Sequence, residues 1–150
     1  MKKIIAIILT FLFITNCGFT PIYSGKNFDF KLKDIITIND SQLSSKVQRR
    51  LKKISKEESK KIISIKVDTQ KKINILSKNS KGDPSRYEMI IDIKLNTTYA
   101  QNKNMSKSFQ EKFNYNANSN KFELNQYEQE IEDLLINQNI ERIIVYLSKF

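Results

Sequence analysis

Residues that carry catalytic and metal chemistry are scarce in this sequence. Its 150 residues contain no histidine, no tryptophan, one cysteine, two prolines and three glycines, the glycines at positions 18, 25 and 82. Without an imidazole, neither a Ser-His-Asp nor a Cys-His site can form. One cysteine cannot complete a structural zinc site or an intrachain disulfide, and the glycine positions exclude the common phosphate-binding loops. The sequence therefore predicts no metal site and no dissociable cofactor, and among catalytic mechanisms it leaves only carboxylate-based chemistry open.

Positive charge, by contrast, is abundant. Lys and Arg number 26 against 16 Asp and Glu, which gives a formal net charge of +10. Such an excess favours an anionic partner, namely nucleic acid, phospholipid or a phosphorylated glycolipid. The alternative is a lysine-rich surface that contacts only water, and composition alone leaves both open.

The N-terminus has the features of an export signal. Lys2 and Lys3 precede an apolar run of eleven residues, 4–14. Eleven helical residues rise only about 16 Å, roughly half the hydrocarbon core of a bilayer. We therefore interpret residues 1–16 as a signal peptide and not as a spanning helix. The alternative is a buried helix of the folded domain, against which the two leading lysines argue.

A single cysteine directly follows this apolar run. Residues 14–17, Ile-Thr-Asn-Cys, look like a bacterial lipobox, in which the Cys17 sulfur receives a diacylglyceryl group. The chain is then cut before Cys17, and the new amine is acylated. Several acyl chains anchor a protein firmly where one is marginal. Gly18 is not an aspartate of the kind that retains lipoproteins in the inner membrane, so we expect the outer membrane. The alternative is a soluble exported protein with a free thiol.

Hydrophobic periodicity in the remaining chain predicts six elements. Alternation of apolar and polar residues indicates strands, and apolar spacings of three and four indicate amphipathic helices. A turn is predicted at residues 79–85, where Gly82 and Pro84 lie. The predicted elements are a strand at 27–38, a helix at 41–55, a strand from 63 to about 76, a strand at 87–99, a strand at about 105–117 and a helix at 121–149.

This order, β-α-β-β-β-α, predicts an α+β fold with two helices packed on one face of a four-stranded, mostly antiparallel sheet. Two details stay open at this stage. Phe109 and Phe113 are also spaced as a helical pair, which would replace the fourth strand. The last helix carries one apolar set around Ile131 and a second, nearly opposite set around Ile140. This pattern predicts a bend near residues 138–139 or a contact on a second side, with burial under the N-terminal segment as the simplest such contact.

The segment 17–23, Cys-Gly-Phe-Thr-Pro-Ile-Tyr, resembles the C-G-F-x-P-L-Y start of the LptE family of lipopolysaccharide-assembly lipoproteins, with Ile22 in place of Leu. The element order and the acidic, Gln-rich helix after residues 113–116 resemble that family as well. The resemblance divides the chain into a signal peptide (1–16), a lipidated tether (17–26) and an LptE-like domain (27–150). It implies no catalysis and a lipid anchor at the periplasmic face of the outer membrane.

The same resemblance implies two partners. One is an LptD-like outer-membrane β-barrel, whose lumen the lipoprotein plugs and whose assembly it assists. The other is lipopolysaccharide, whose lipid A phosphates suit lysine and arginine. We predict the contact at Lys78, Lys81 and Arg86, which bracket the Gly-Pro turn. A second candidate is the basic helix face of Lys46, Arg49, Arg50 and Lys53. The alternative to both is solvated surface charge.

Three other functions are weighed against this one. The first is another outer-membrane assembly or structural lipoprotein that does not bind lipopolysaccharide. A nucleic-acid-binding domain fits the charge, but an export signal and the absence of recognition motifs argue against it. A carboxylate hydrolase would have to use the acidic residues of the last helix, which lie along one helix and do not flank a cleft. Those residues are Glu128, Glu130, Glu132 and Asp133.

Overall fold

A computed structural model describes residues 29–39, 41–99 and 103–150. The predicted signal peptide (1–16), Cys17 and the tether (17–26) lie outside the described residues. The elements are β1 (Lys31–Thr37), α1 (Gln42–Ile54), β2 (Ile62–Lys78), β3 (Pro84–Tyr99), β4 (Lys103–Asn116) and α2 (Lys121–Leu147). The predicted order and the α+β fold class are confirmed.

The sheet has the strand order β1-β2-β3-β4. β1 runs parallel to β2, and α1 provides the crossover connection that a parallel pair needs; the other two pairings are antiparallel. Odd-numbered residues 63–69 of β2 and 89–97 of β3 are buried against the helices, whereas the even-numbered residues of these strands lie on the helix-free face. The core therefore lies between one sheet face and the two helices, with Val67, Ile91, Leu51 and Leu135 among its fully buried side chains.

The helices begin where capping side chains satisfy their first N–H groups. Ser41 Oγ accepts a hydrogen bond from the Ser44 N–H at 3.1 Å, and Asn120 Oδ1 accepts from the N–H groups of Phe122 and Glu123. These are the side chains expected at helix N-termini. The predicted start of α1 at residue 41 is therefore off by one position only.

Two expectations about strands are corrected. β4 is a strand, so the helical alternative for Phe109 and Phe113 is wrong: Phe109 lies opposite Ile93 in an unbroken antiparallel register. β1 begins at Lys31, ahead of which residues 29 and 30 are not part of the strand, and residues 27 and 28 lie outside the described residues. Phe30 is buried as the alternation predicts, but its carbonyl accepts from the Lys56 N–H at 3.0 Å and not from β2. The pairing of β1 with β2 is irregular between Leu32 and Ile35.

Packing on the sheet accounts for the apolar pattern of α2, while the N-terminal segment that the sequence offered as a second cover lies outside the described residues. The helix is continuous from Lys121 to Leu147. Its buried residues form two neighbouring rows, in each of which successive members are four residues apart. Four residues turn the helix by slightly more than one full turn, so each member lies about 40° further around the helix than the one before it. The rows therefore wind around α2, as expected for a long helix on a twisted sheet. The rows are Ile131, Leu135, Asn139, Ile143, Leu147 and Glu132, Ile136, Ile140, Ile144.

Candidate functional site

The turn between β2 and β3 has a defined geometry. Gly82 has φ +88°, in the left-handed region that glycine adopts without strain. Asn79 Oδ1 accepts hydrogen bonds from the N–H groups of Lys81 and Asp83, each at 2.9 Å, and the Asn79 N–H donates to the Asp83 carbonyl at 2.8 Å. The tip is thus held by its own hydrogen bonds and does not require its cationic side chains to fold.

The structure brings the predicted cations Lys78, Lys81 and Arg86 to this end of the sheet. Lys78 lies opposite Pro84 and Arg86 lies opposite Ser77, while Lys81 is in the turn itself. All three are exposed, and within the described ranges none of their side chains forms an ion pair. The hairpin end therefore carries three exposed cations beside one carboxylate of the turn, Asp83.

The second candidate, the basic face of α1, is divided by the structure. Lys46 Nζ lies 2.7 Å from Glu132 Oε1 and 3.3 Å from Asp133 Oδ1. Arg50 donates to Asp133 Oδ1 at 2.9 Å and to Asn137 Oδ1 at 2.7 Å. These two cations therefore face α2 and hold the helices together. Only Arg49 and Lys53 remain as exposed charges of that set.

Lys71 of β2 completes this group, and the sequence analysis did not single it out. Its Nζ lies 2.8 Å from Glu132 Oε2, so one carboxylate bridges β2 and α1. Burial alone would raise the pKa of Glu132, but the hydrogen bonds from Lys46 and Lys71 outweigh it and hold that pKa below its usual 4.5. The same hydrogen bond raises the pKa of Lys46 above 10.5. The group is ionised at neutral pH and has a structural role.

The acidic residues weighed for hydrolysis do not form a catalytic pair. Glu132 and Asp133 are neutralised by the cations of α1 and β2, and Glu128 accepts a hydrogen bond from the Tyr115 hydroxyl at 2.6 Å. Burial, together with that carboxylate, raises the pKa of Tyr115. Over residues 29–39, 41–99 and 103–150, no cluster of three or more potential metal-binding side chains occurs.

None of the helices within the described ranges is long and apolar enough to cross a membrane.

Comparison with known proteins gives likenesses in structure. No family model and no curated protein matches the sequence. The rare lipoprotein B of Shewanella oneidensis aligns with 77% of this chain and 92% of its own, at 12% identity and a TM-score of 0.58. A minor lipoprotein of Acinetobacter baumannii aligns with 81% and 92% at 12% identity and 0.57. Lipoprotein B of Nitrosomonas europaea aligns with 78% and 80% at 16% identity and 0.53.

The described part of the chain thus has a fold found in lipoproteins, with two helices on one face of a four-stranded sheet. More particularly, it is the fold of the LptE-type lipoprotein B structures, so the resemblance to the LptE family predicted from the sequence is confirmed for the fold.

Proposed function

We propose that this protein is a non-enzymatic lipoprotein, anchored through Cys17 at the periplasmic face of the outer membrane. There it plugs and helps to assemble an LptD-like β-barrel and assists the transfer of lipopolysaccharide to the cell surface. The covalent diacylglyceryl and N-acyl chains on Cys17 attach it to the membrane. Lys78, Lys81 and Arg86 receive the phosphates of lipid A.

The shared fold is the observation that carries this proposal. The lipobox-like segment and the Cys17–Tyr23 motif lie outside the described ranges and support the proposal from the sequence. The likeness of the folded part to lipoprotein structures supports it independently. A charge of +8 would remain after loss of residues 1–16, because Lys2 and Lys3 are the only charged residues removed. The exposed cations at the β2–β3 hairpin end are the part of this charge that we assign to contact with the anionic ligand.

The barrel partnership predicts a stable complex in the native membrane. Affinity purification of the full-length protein from detergent-solubilised outer membranes is expected to recover one large β-barrel in a one-to-one ratio, measured by mass spectrometry. Depletion of the protein is expected to lower the level of that barrel and of surface lipopolysaccharide together. Unchanged barrel and lipopolysaccharide levels after depletion would contradict the proposal. A fall in the barrel alone would favour the assembly lipoprotein that does not bind lipopolysaccharide.

The lipopolysaccharide contact predicts that replacing Lys78, Lys81 and Arg86 together by alanine weakens binding by about tenfold or more at low salt. A charge-assisted contact contributes about 1.5–3 kcal/mol, which exposure and salt lower to about 1 kcal/mol or less. At about 0.5–1 kcal/mol each, three contacts sum to about 1.5–3 kcal/mol, above the 1.4 kcal/mol that corresponds to tenfold. Titration of purified protein with labelled lipopolysaccharide measures the change.

A matched control removes the same number of charges from the opposite end of the sheet. Lys60, Lys61 and Lys103 are exposed and lie beside the first residues of β2 and β4. Their triple alanine variant is expected to bind lipopolysaccharide nearly as the parent does, and both variants should keep the parent's melting temperature. Equal losses in the two variants would mean that net charge, and not this hairpin, determines binding.

A further inference from the structure

β2 is longer than the elements that cover it. β1 pairs with β2 only as far as Thr37, which lies opposite Val67. α1 begins at the same level, since Ser44 Oγ lies 2.7 Å from Thr69 Oγ1, and it runs back towards the start of β1. From Gln70 to Lys78, β2 therefore has β3 as its only strand neighbour among the described residues, and α1 does not extend over it.

The backbone groups along this part of β2 point outwards. The Val67 carbonyl accepts from the Ile38 N–H at 2.9 Å, and the Thr69 carbonyl accepts from Asn39 Nδ2 at 2.7 Å. Odd-numbered residues of β2 thus direct their N–H and C=O groups away from β3. Lys71, Ile73 and Ile75 continue this series beyond Asn39, where the described residues provide no further strand. Three successive positions form an open pairing edge.

Apolar side chains accompany the open edge. Ile73 and Ile75 belong to the odd-numbered, helix-facing series, yet they are 40% and 52% exposed. Earlier members of the same series, Ile65 and Val67, are fully buried under α1. Ile73 and Ile75 are therefore core-type side chains at positions where the described chain covers them only in part.

β2 contributes only positive charge to this edge, and the carboxylates that face it, Glu132 and Glu88, are already paired with lysines. Residues 69–82 contain four lysines and no acidic residue. Lys71 is paired with Glu132, whereas Lys72, Lys78 and Lys81 are exposed and form no ion pair within the described ranges. A second copy of this strand would bring four more lysines to the same place, so like-charge repulsion disfavours self-pairing.

We propose that residues 70–76 of β2 are a docking edge for an extended segment of a partner protein, which adds a fifth strand to this half of the sheet. The segment is acidic and has apolar residues at alternate positions. Its backbone pairs with Lys71, Ile73 and Ile75, its apolar side chains cover Ile73 and Ile75, and its carboxylates face the lysines. This is β-strand addition, in which main-chain hydrogen bonds give affinity and alternate side chains give specificity. The proposal requires neither lipopolysaccharide nor the barrel.

Amide hydrogen exchange of the full-length protein in detergent tests this directly. The probe is a nine-residue peptide that alternates valine and glutamate. With the peptide at ten times its Kd, exchange at Lys71, Ile73 and Ile75 is expected to slow by about tenfold. Exchange at Lys72 and Asn74, whose N–H groups already point to β3, is expected to change little. A peptide with lysine in place of glutamate is expected to give no protection.

Two substitutions separate backbone pairing from apolar contact. Ile73→Pro removes one outward N–H, which proline tolerates at a strand edge, and is expected to abolish peptide binding. Ile73→Thr keeps that N–H and is expected to weaken binding only severalfold. The matched control is Ser108→Pro on β4: it removes an N–H at the other edge of the sheet, where the Gln110 carbonyl also points outwards and accepts from Arg142. It is expected to bind the peptide as the parent does.

Several results would overturn the proposal. One is equal protection by the lysine peptide. Another is slow exchange at Ile73 and Ile75 without peptide at all protein concentrations, since the protein's own chain would then fill the edge. Protection that rises with protein concentration would instead mean pairing between copies. If Ile73→Pro fails to fold, the exchange measurement on the parent protein still decides the question.

Discussion

Replacing Cys17 by alanine is expected to abolish acylation and release the protein from the outer membrane. Cys17 is the only sulfhydryl in the chain, so no other residue can form the thioether. A single acyl chain binds a bilayer with a constant of about 10⁴ M⁻¹, whereas several chains hold a protein firmly. The loss of protein from the membrane fraction should therefore be nearly complete. Density separation of membranes, followed by intact-mass analysis, measures both the location and the modification.

A neighbouring substitution provides the control for this experiment. Asn16→Gly keeps Cys17 and places a small residue before it, as lipoboxes favour, so lipidation is expected to be retained. The mass of the parent protein in the membrane fraction is the deciding measurement, because it reports the acyl chains on Cys17 directly. An unmodified Cys17 in the parent's membrane fraction would refute the lipid anchor.

The fold was predictable because local patterns and tertiary packing agree along most of the chain. In β3, the residues at every second position from Tyr87 to Tyr99, apolar except for Thr97, correspond to side chains that face the helices. The 79–83 turn was equally predictable, since Gly82 and the Asx-type hydrogen bonds of Asn79 act within a few residues. Where a residue's environment depends only on its neighbours in sequence, the prediction needed no structure.

The candidate site was only partly predictable, because charge pairing depends on contacts between distant residues. Lys46 and Arg50 have the same local pattern as Arg49 and Lys53, yet their partners lie more than 80 residues away on α2. Periodicity placed all four on the polar side of one helix and could not reveal that the second helix lies against part of that side. The exposed hairpin end was easier to predict, since its turn keeps the cations away from other elements.

Asn139 illustrates the same limit inside the core. Periodicity gave no reason to bury an amide at this position of α2, but its side chain is fully buried and Nδ2 donates to the Ile91 carbonyl at 3.1 Å. Its Oδ1 has no partner among the described residues. A buried polar group of this kind favours one alignment of helix and sheet over others. Asn139 is buried because the rows of buried residues wind around α2. A helical wheel with one fixed buried face does not predict that position.

Glu132→Gln is expected to lower the free energy of unfolding by about 2–3 kcal/mol at neutral pH. The Glu132 side chain is 12% exposed and accepts from Lys46 and Lys71, so the substitution leaves two ammonium groups facing a neutral amide. Breaking a buried ion pair costs about 3–5 kcal/mol. The loss should be smaller here because both lysines remain partly exposed and Asp133 still pairs with Lys46. Urea unfolding of the two proteins measures the difference.

The matched control lies two residues away on the same helix. Glu130 is exposed and has no ion-pair partner within the described ranges, so Glu130→Gln removes the same charge without breaking a bridge. Its effect is expected to stay within about 0.5 kcal/mol. Equal effects of the two substitutions would show that Glu132 does not link α1, β2 and α2.

The pH dependence gives this prediction a second, independent readout. Because the pKa of Glu132 is lower in the folded state than its usual 4.5, its stabilisation is fully present above that value and is lost as the pH falls through the folded-state pKa. The gap in stability between the parent and Glu132→Gln should therefore be constant near neutrality and close progressively below about pH 4. A gap that persists unchanged in acid would mean that the amide disturbs packing and that the charge of Glu132 contributes little. The two helices would then be held together by the apolar rows of α2 and by the pairing of Arg50 with Asp133.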